Sequence, residues 1–170
     1  VYPPEFVARC LRAERDPAEF AAMRREDGAG WVLASNRPSM PSHLFLARDP
    51  EWALVYWSEA AVIYVRRALH PELEPLRFRF IHPTAVDVSV VHAVARSQGD
   101  AARLRPIDAE IRRLLQASPD GVRANTALVL FYHARGPAFA AQRDAALAHL
   151  EAVAAGHPAV KELRRRLAVP

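Results

Sequence analysis

The chain has 170 residues, of which 51% are hydrophobic and 25% are charged, and its formal net charge at pH 7 is +4. This composition is typical of a folded globular protein and excludes disordered and collagen-like chains. The length allows one domain or two small ones. The longest apolar runs, residues 60–65 and 127–132, are far shorter than the roughly 20 residues of a membrane span, so we expect no span within this sequence.

Arginine supplies almost all of the positive charge, since Lys161 is the only lysine. The basic residues are scattered in small pairs, with one denser group from Lys161 to Arg166. A nucleic-acid surface needs several such groups on one face, whereas basic residues in the last turn of a helix are favoured by the helix dipole. We therefore predict no nucleic-acid partner. Cys10 is the only cysteine, which excludes an intrachain disulfide.

The first part of the chain alternates helical and extended patterns. A helix is predicted over residues 4–13. A second begins at the N-cap Asp16, which forms a predicted capping box with Glu19, and ends at Gly28. Residues 31–34 predict a short buried strand, and a short helix is predicted over residues 41–47.

Two apolar runs, residues 52–57 and 60–65, predict a hairpin that turns at Ser58 and Glu59. Both runs are continuously apolar, which is typical of strands buried on both faces, so helices are expected on each side of the sheet. Residues 68–83 contain three prolines and predict an irregular connection.

From Thr84 onward the pattern is helical, and Thr84 with Asp87 predicts another capping box. Glycines follow most of the predicted helices, and prolines, including Pro106, stand near their starts. The predicted helices cover residues 85–98, 105–117, 121–135, 138–155 and 158–168. The predicted fold class is α+β: a small α/β layer with a short, mostly buried sheet over residues 1–83, then an all-α part over residues 84–170.

Glycine and proline recur in the helical part. Gly99 and Gly136 each follow a helix, and Pro119 and Pro158 each close the next, at intervals of about 40 residues. The second unit resembles a tetratricopeptide repeat, although both units have extra residues between their helices. Its matching positions are Leu128, Val129, Tyr132, Gly136, Ala146, Leu150, Val153 and Pro158. The resemblance implies two stacked helical hairpins with a final capping helix; an ordinary helical bundle is the alternative.

Tetratricopeptide arrays hold extended peptides in a concave groove, often through Arg, Lys or Asn bound to a carboxylate. The resemblance therefore implies a peptide groove along the helix predicted over residues 121–135. The candidate groove residues are Asn125, Tyr132, His133 and Arg135. The implied partner is a protein or a peptide.

Residues 16–83, with the Trp52 to Tyr56 strand of the hairpin, are similar to the soluble C-terminal region of bacterial multi-pass membrane proteins. Some of these resemble glycosyltransferases that use lipid-linked sugars. The resemblance implies a non-catalytic, extracytoplasmic tail domain of a parent protein in the bacterial inner membrane. The chain begins at Val1 without a methionine, which favours a piece of a longer protein.

The sequence has no glycine-rich phosphate loop, no His-Glu-x-x-His and no Gly-x-Ser-x-Gly, so no catalytic residue or cofactor is predicted. Seven histidines are present, but none pair at i, i+4 on one predicted helix, so no metal site is predicted. The carboxylates Asp49, Glu51 and Glu59 flank the hairpin and fit solvated strand ends better than acid–base work.

Two functional hypotheses follow. The preferred one is a protein-interaction or assembly module. The alternative is an accessory domain that binds the substrate of a membrane glycosyltransferase-like enzyme, for which Trp52 or Trp57 would line an exposed pocket with Glu59 and Arg66. Burial of both tryptophans would remove the basis of that alternative.

Overall fold

The computed structural model of the protein describes residues 3–36 and 41–168, with the backbone alone for residues 41–44. It divides into two compact units, Val1–Phe78 and Arg79–Pro170, a few residues before the predicted boundary at residue 83. The first unit contains a three-stranded antiparallel sheet and the second consists of helices, so the α+β class is confirmed.

Two helices open the first unit. Helix α1 is Pro4–Ala13, as predicted, and α2 is Pro17–Asp27. The Asp16 carboxylate accepts a hydrogen bond from the Ala18 N–H at 2.9 Å, and Gly28 ends α2 with φ 65°. The predicted capping box is wrong in its second half, because the Glu19 carboxylate binds Arg9 Nε at 2.9 Å and so ties α2 to α1.

The strands are β1 (Trp31–Ser35), β2 (Trp52–Trp57) and β3 (Ala61–Arg66), in the order β1-β3-β2, with helix α3 (Pro41–Arg48) between β1 and β2. The predicted hairpin of β2 and β3 is confirmed, but its loop also includes Ala60, since β3 begins one residue later than predicted. Its turn contains no positive-φ residue. Instead, Ser58 Oγ accepts hydrogen bonds from the N–H groups of Ala60 and Ala61 at 3.3 and 3.2 Å.

One face of the sheet forms the core of the first unit. Trp52, Trp57 and Tyr64 share this face and are at most 3% exposed. The ring of Phe20 lies 5.8 Å from that of Trp52, and the ring of Phe78 lies 6.2 Å from that of Trp57. After β3, a 3₁₀ helix at Pro71–Leu76 leads back to β2, where the Phe78 N–H donates to the Leu54 carbonyl at 2.8 Å.

The opposite face of the sheet is covered only in part. Ala53 and Val65 are buried there, but Trp31, Leu33 and Tyr56 are 59%, 60% and 40% exposed. The prediction of a buried strand at residues 31–34, in a sheet covered on both sides, is therefore wrong. A continuous apolar run does not distinguish a central strand from an edge strand, and β1 lies at the edge.

The second unit contains five α-helices among its described residues, and α6 lies at their centre. Helix α6 contacts each of the other four. Its buried residues include the small Ala124 and Ala127, which allow neighbouring helices to approach, and the large Phe131. The helices are α4 (Val86–Ser97), α5 (Ala101–Ala117), α6 (Val122–Ala134), α7 (Ala140–Val153) and α8 (Pro158–Leu167).

Two predicted helix starts differ from the structure. Helix α5 begins at Ala101, where Asp100 accepts a hydrogen bond from the Ala102 N–H, so Pro106 lies inside the helix and not near its start. The predicted Thr84–Asp87 capping box does not form. Thr84 Oγ1 lies 2.8 Å from His82 Nδ1, and Asp87 forms an ion pair with Arg166.

The ion pair of Asp87 and Arg166 joins α4 to α8 at 2.9 Å. The hydrogen bond from Arg166 lowers the pKa of Asp87 below its usual 3.8. A depressed pKa adds stability above the unfolded value, and that stability is lost as the pH falls through the folded value. At pH 7 we expect Asp87→Asn to reduce the free energy of unfolding by less than about 1 kcal/mol, since the pair is partly exposed.

Urea denaturation at pH 7 and at about pH 3 checks this expectation, since the difference between wild type and Asp87→Asn shrinks at the lower pH. Asp144→Asn is the control, because its ion pair with Arg143 lies within α7 and joins no two helices. An Asp87→Asn effect that is the same at both pH values would contradict the assignment.

Candidate functional site

Asn125, the first of the predicted groove residues, is buried. This side chain is 2% exposed, and its Nδ2 donates to the carbonyls of Pro119 and Gly121 at 2.7 and 2.9 Å. It fixes the turn before α6, which is a local role that short polar side chains often take. Asn125 is therefore not available to a peptide, and its prediction as a groove residue is wrong.

Arg135 is also used in packing. Its guanidinium carbon lies 3.5 Å from the centre of the Phe139 ring and 5.2 Å from that of Phe131. The ring of Tyr132 is stacked on Phe139 with the centroids 6.4 Å apart. These cation–π and ring contacts hold the 3₁₀ turn at Pro137–Phe139 against the end of α6.

His133 is exposed near the end of α6. Arg135 lies just beyond the last residue of α6, as its C-cap, and is half-buried against Phe139. The structure thus brings Tyr132 and Arg135 together at Phe139, but Asn125 is buried near the start of α6, so the four predicted residues do not line one groove.

A different surface of the first unit exposes large apolar side chains. We define this apolar surface as Phe6, Val7 and Leu11 of α1 with Trp31 and Leu33 of β1. Their exposed fractions range from 37% for Phe6 to 60% for Leu33. On α1, Val7 and Leu11 are four residues apart and therefore lie on the same side of the helix. Periodicity alone does not show which side of a helix is covered, so the sequence does not predict this exposure.

A cleft of about 260 Å³ lies beside β1 and is lined by residues of α1, α2 and β1, among them Trp31 and Leu33 of the apolar surface. Cys10 and Ala13 of α1 form part of its wall, and Phe20 and Met23 of α2 and Trp31 of β1 form others. These side chains are apolar, so binding of an apolar group that displaces water from the cleft has a favourable free energy.

On the side of β1 away from β3, no strand of the described residues pairs with it. The Gly30 carbonyl accepts from the Arg66 N–H at 2.8 Å, and the Asn36 N–H donates to the Ala60 carbonyl at 2.9 Å. Since direction alternates along a strand, Trp31 and Leu33 present their backbone groups to the outer edge. Within residues 3–36 and 41–168 no strand lies beyond β1, so this edge can pair with another polypeptide.

Three charged residues, Glu14, Arg24 and Asp27, also line the cleft. Arg24 binds the Glu51 carboxylate at 2.8 Å. Arg9 binds Glu26, which lowers the pKa of Glu26 and holds α1 against α2. An apolar floor with a charged and polar rim is the usual composition of a protein interface.

Comparisons with protein-family models, with curated proteins and with solved structures find no match to this chain. Among the described residues, no group of three His, Cys, Asp or Glu side chains is arranged to hold a metal ion. Nor does any described helix have the length and apolar character needed to cross a membrane.

The residues of the substrate-binding alternative do not form a site. Trp52 and Trp57 are 3% and 1% exposed, so neither ring is free to stack on a sugar. Arg66 lies 3.9 Å from the Glu51 carboxylate. That carboxylate also binds Arg24 at 2.8 Å, and Asp49 lies 4.0 Å from Arg24, so both acidic residues are used in ion pairs. The alternative therefore loses the residues on which it depended.

Proposed function

We propose that this chain is a non-catalytic tail domain of a larger, membrane-embedded bacterial protein, in which it serves as a protein-interaction or assembly module. The main support is the apolar surface of the first unit. Single exposed apolar residues are common on proteins, but Trp31 and Leu33 lie together on an edge strand and both line the cleft, which is typical of an interaction site.

The occupant we propose is an extended segment of a partner protein. Such a segment pairs with the outer edge of β1 through backbone hydrogen bonds. Every second side chain of the segment then lies on the sheet face that carries Trp31 and Leu33. Trp31 and Leu33 lie on that face of the strand, so apolar residues at alternate positions of the partner are favoured. A flat membrane surface would leave the concave cleft unfilled.

The helical unit supports the same proposal as a scaffold. Helix α6 contacts α4, α5, α7 and α8, so the unit is a packed helical body that could carry an interaction surface. The membrane-embedded parent rests on the sequence similarity of residues 16–83 alone. Its test is fractionation of the full-length gene product, which should stay with the membrane after alkaline extraction; release into the supernatant would contradict it.

The interaction is tested with a photo-crosslinking amino acid in place of Trp31 in the full-length protein. We expect one discrete protein adduct in cells, and we expect Leu33→Glu to reduce its yield about tenfold, because a buried carboxylate at the interface costs several times RT. Mass spectrometry of the adduct identifies the partner and the crosslinked segment.

Val153→Glu is the matched control, since Val153 is 37% exposed on α7 of the other unit and should leave the adduct unchanged. Leu33 is 60% exposed, so we expect Leu33→Glu to change the free energy of unfolding by only about 0.5 kcal/mol. Crosslinking to lipid alone, or an adduct insensitive to Leu33→Glu, would contradict the proposal.

A further inference from the structure

A second cavity, of about 430 Å³, lies within the helical unit. It is bounded by α4, by the first half of α5 and by the chain just before α4. Each of these three segments contributes one arginine: Arg79, Arg96 and Arg103. We call this cavity the arginine cleft. Its lining contains no acidic residue.

Two of these arginines have little or no compensating charge. Among the described residues, none forms a hydrogen bond or an ion pair with Arg96. Arg103 Nε lies 3.5 Å from Asp100, and the same carboxylate also accepts the Ala102 N–H. Neighbouring cations with so little compensation create a positive potential that favours an anion.

The third arginine is carried on a fixed backbone. The carboxylate of Glu110, which is 6% exposed, accepts hydrogen bonds from the N–H groups of Arg79 at 2.6 Å and of Phe80 and Ile81 at 3.0 Å. This contact holds the segment that carries Arg79 and Phe80 in place at the cleft. A site held in place before binding loses less entropy when a ligand arrives.

The floor of the arginine cleft is apolar. Ala93 and Ile107 are buried below it, and the half-buried ring of Phe80 lines one side. Its volume lies in the range of about 300–1,000 Å³ that is usual for small-molecule sites. Guanidinium groups bind carboxylate and phosphate oxygens through paired hydrogen bonds.

We propose that the arginine cleft binds a small organic anion in which a carboxylate or phosphate group is attached to an apolar body. The arginines take the charged group and the Phe80 side takes the body. This site lies in a different unit from the apolar surface, so its presence or absence is independent of the partner protein proposed above.

Nuclear magnetic resonance titration of the whole chain tests the site through the arginine Nε–Hε signals. The probes are phenyl phosphate, benzoate and inorganic phosphate at low ionic strength. We expect phenyl phosphate or benzoate to shift the signals of the three cleft arginines, and the stronger of the two to identify the charged group. Inorganic phosphate should bind at least about threefold more weakly, because it lacks the apolar body.

Arg96→Gln should weaken binding of the stronger probe about tenfold. Arg105→Gln is the matched control, because it removes the same charge from the exposed face of α5 without lining the cleft, and it should change binding less than about twofold. Arg96→Lys keeps the charge but loses the paired donors, so an intermediate loss is expected.

The proposal is overturned if no probe shifts these signals up to about 10 mM, which corresponds to negligible affinity. It is also overturned if Arg105→Gln weakens binding as much as Arg96→Gln, since that result indicates unspecific attraction to a basic surface. The amide spectrum of each variant reports whether the fold is intact. The Trp31 crosslink is read separately and does not depend on either result.

Discussion

Glu110→Ala is expected to lower the free energy of unfolding of the helical unit by about 4 kcal/mol, because three backbone N–H groups lose a charged acceptor and each such bond contributes about 1.5–3 kcal/mol, not additively. The three donors belong to consecutive residues, Arg79 to Ile81, and Glu110 is buried. Urea denaturation, followed through amide signals of α5 and α6, measures the loss.

Asp108→Ala is the control for this prediction. Asp108 lies on the same helix, but its ion pair with Arg112 at 2.7 Å is on the surface. Its removal should cost less than about 0.5 kcal/mol. Glu110→Gln keeps one carbonyl oxygen and should lose about half as much as Glu110→Ala. If the Asp108 and Glu110 variants lose equal stability, the contact does not hold the segment.

Trp57→Ala is expected to destabilise the first unit by about 3–5 kcal/mol, the usual cost of removing a large aromatic side chain from a core. Trp57 is 1% exposed and packs against Phe78. Trp31→Ala should cost less than about 1 kcal/mol, because that ring is 59% exposed. Urea denaturation, followed through amide signals of β2 and β3, compares the two.

The same two variants distinguish a residue that stabilises the fold from a residue that contacts the partner. Trp31→Ala should weaken capture of the partner while the first unit stays folded, whereas Trp57→Ala should act only through loss of folded protein. Equal destabilisation by both variants would show that β1 is covered and would remove the apolar surface as an interaction site.

Much of the secondary structure could be predicted because its signals are local. The N-cap Asp16, its following proline and Gly28 lie within one helix length, and they define α2. The apolar runs of β2 and β3 are similarly self-contained, and the hairpin between them needed only the short Ser58–Glu59 interruption.

The two proposed binding surfaces could not be predicted because they depend on contacts between distant residues. Glu110 binds backbone groups about thirty positions earlier, and no local pattern marks that partner. The arginines of the cleft stand alone in the sequence and meet only in the fold. The repeat resemblance places Asn125 in a groove, but its side chain donates to carbonyls of the turn that precedes α6.

The central place of α6 has a consequence for how the helical unit unfolds. In a linear array each repeat touches only its neighbours, so terminal repeats can fray or be deleted singly. Here every described helix of the unit packs on α6, so removal of any hairpin uncovers apolar side chains of the helix that all the others need. We therefore regard the whole unit, and not the hairpin, as the smallest piece that melts cooperatively.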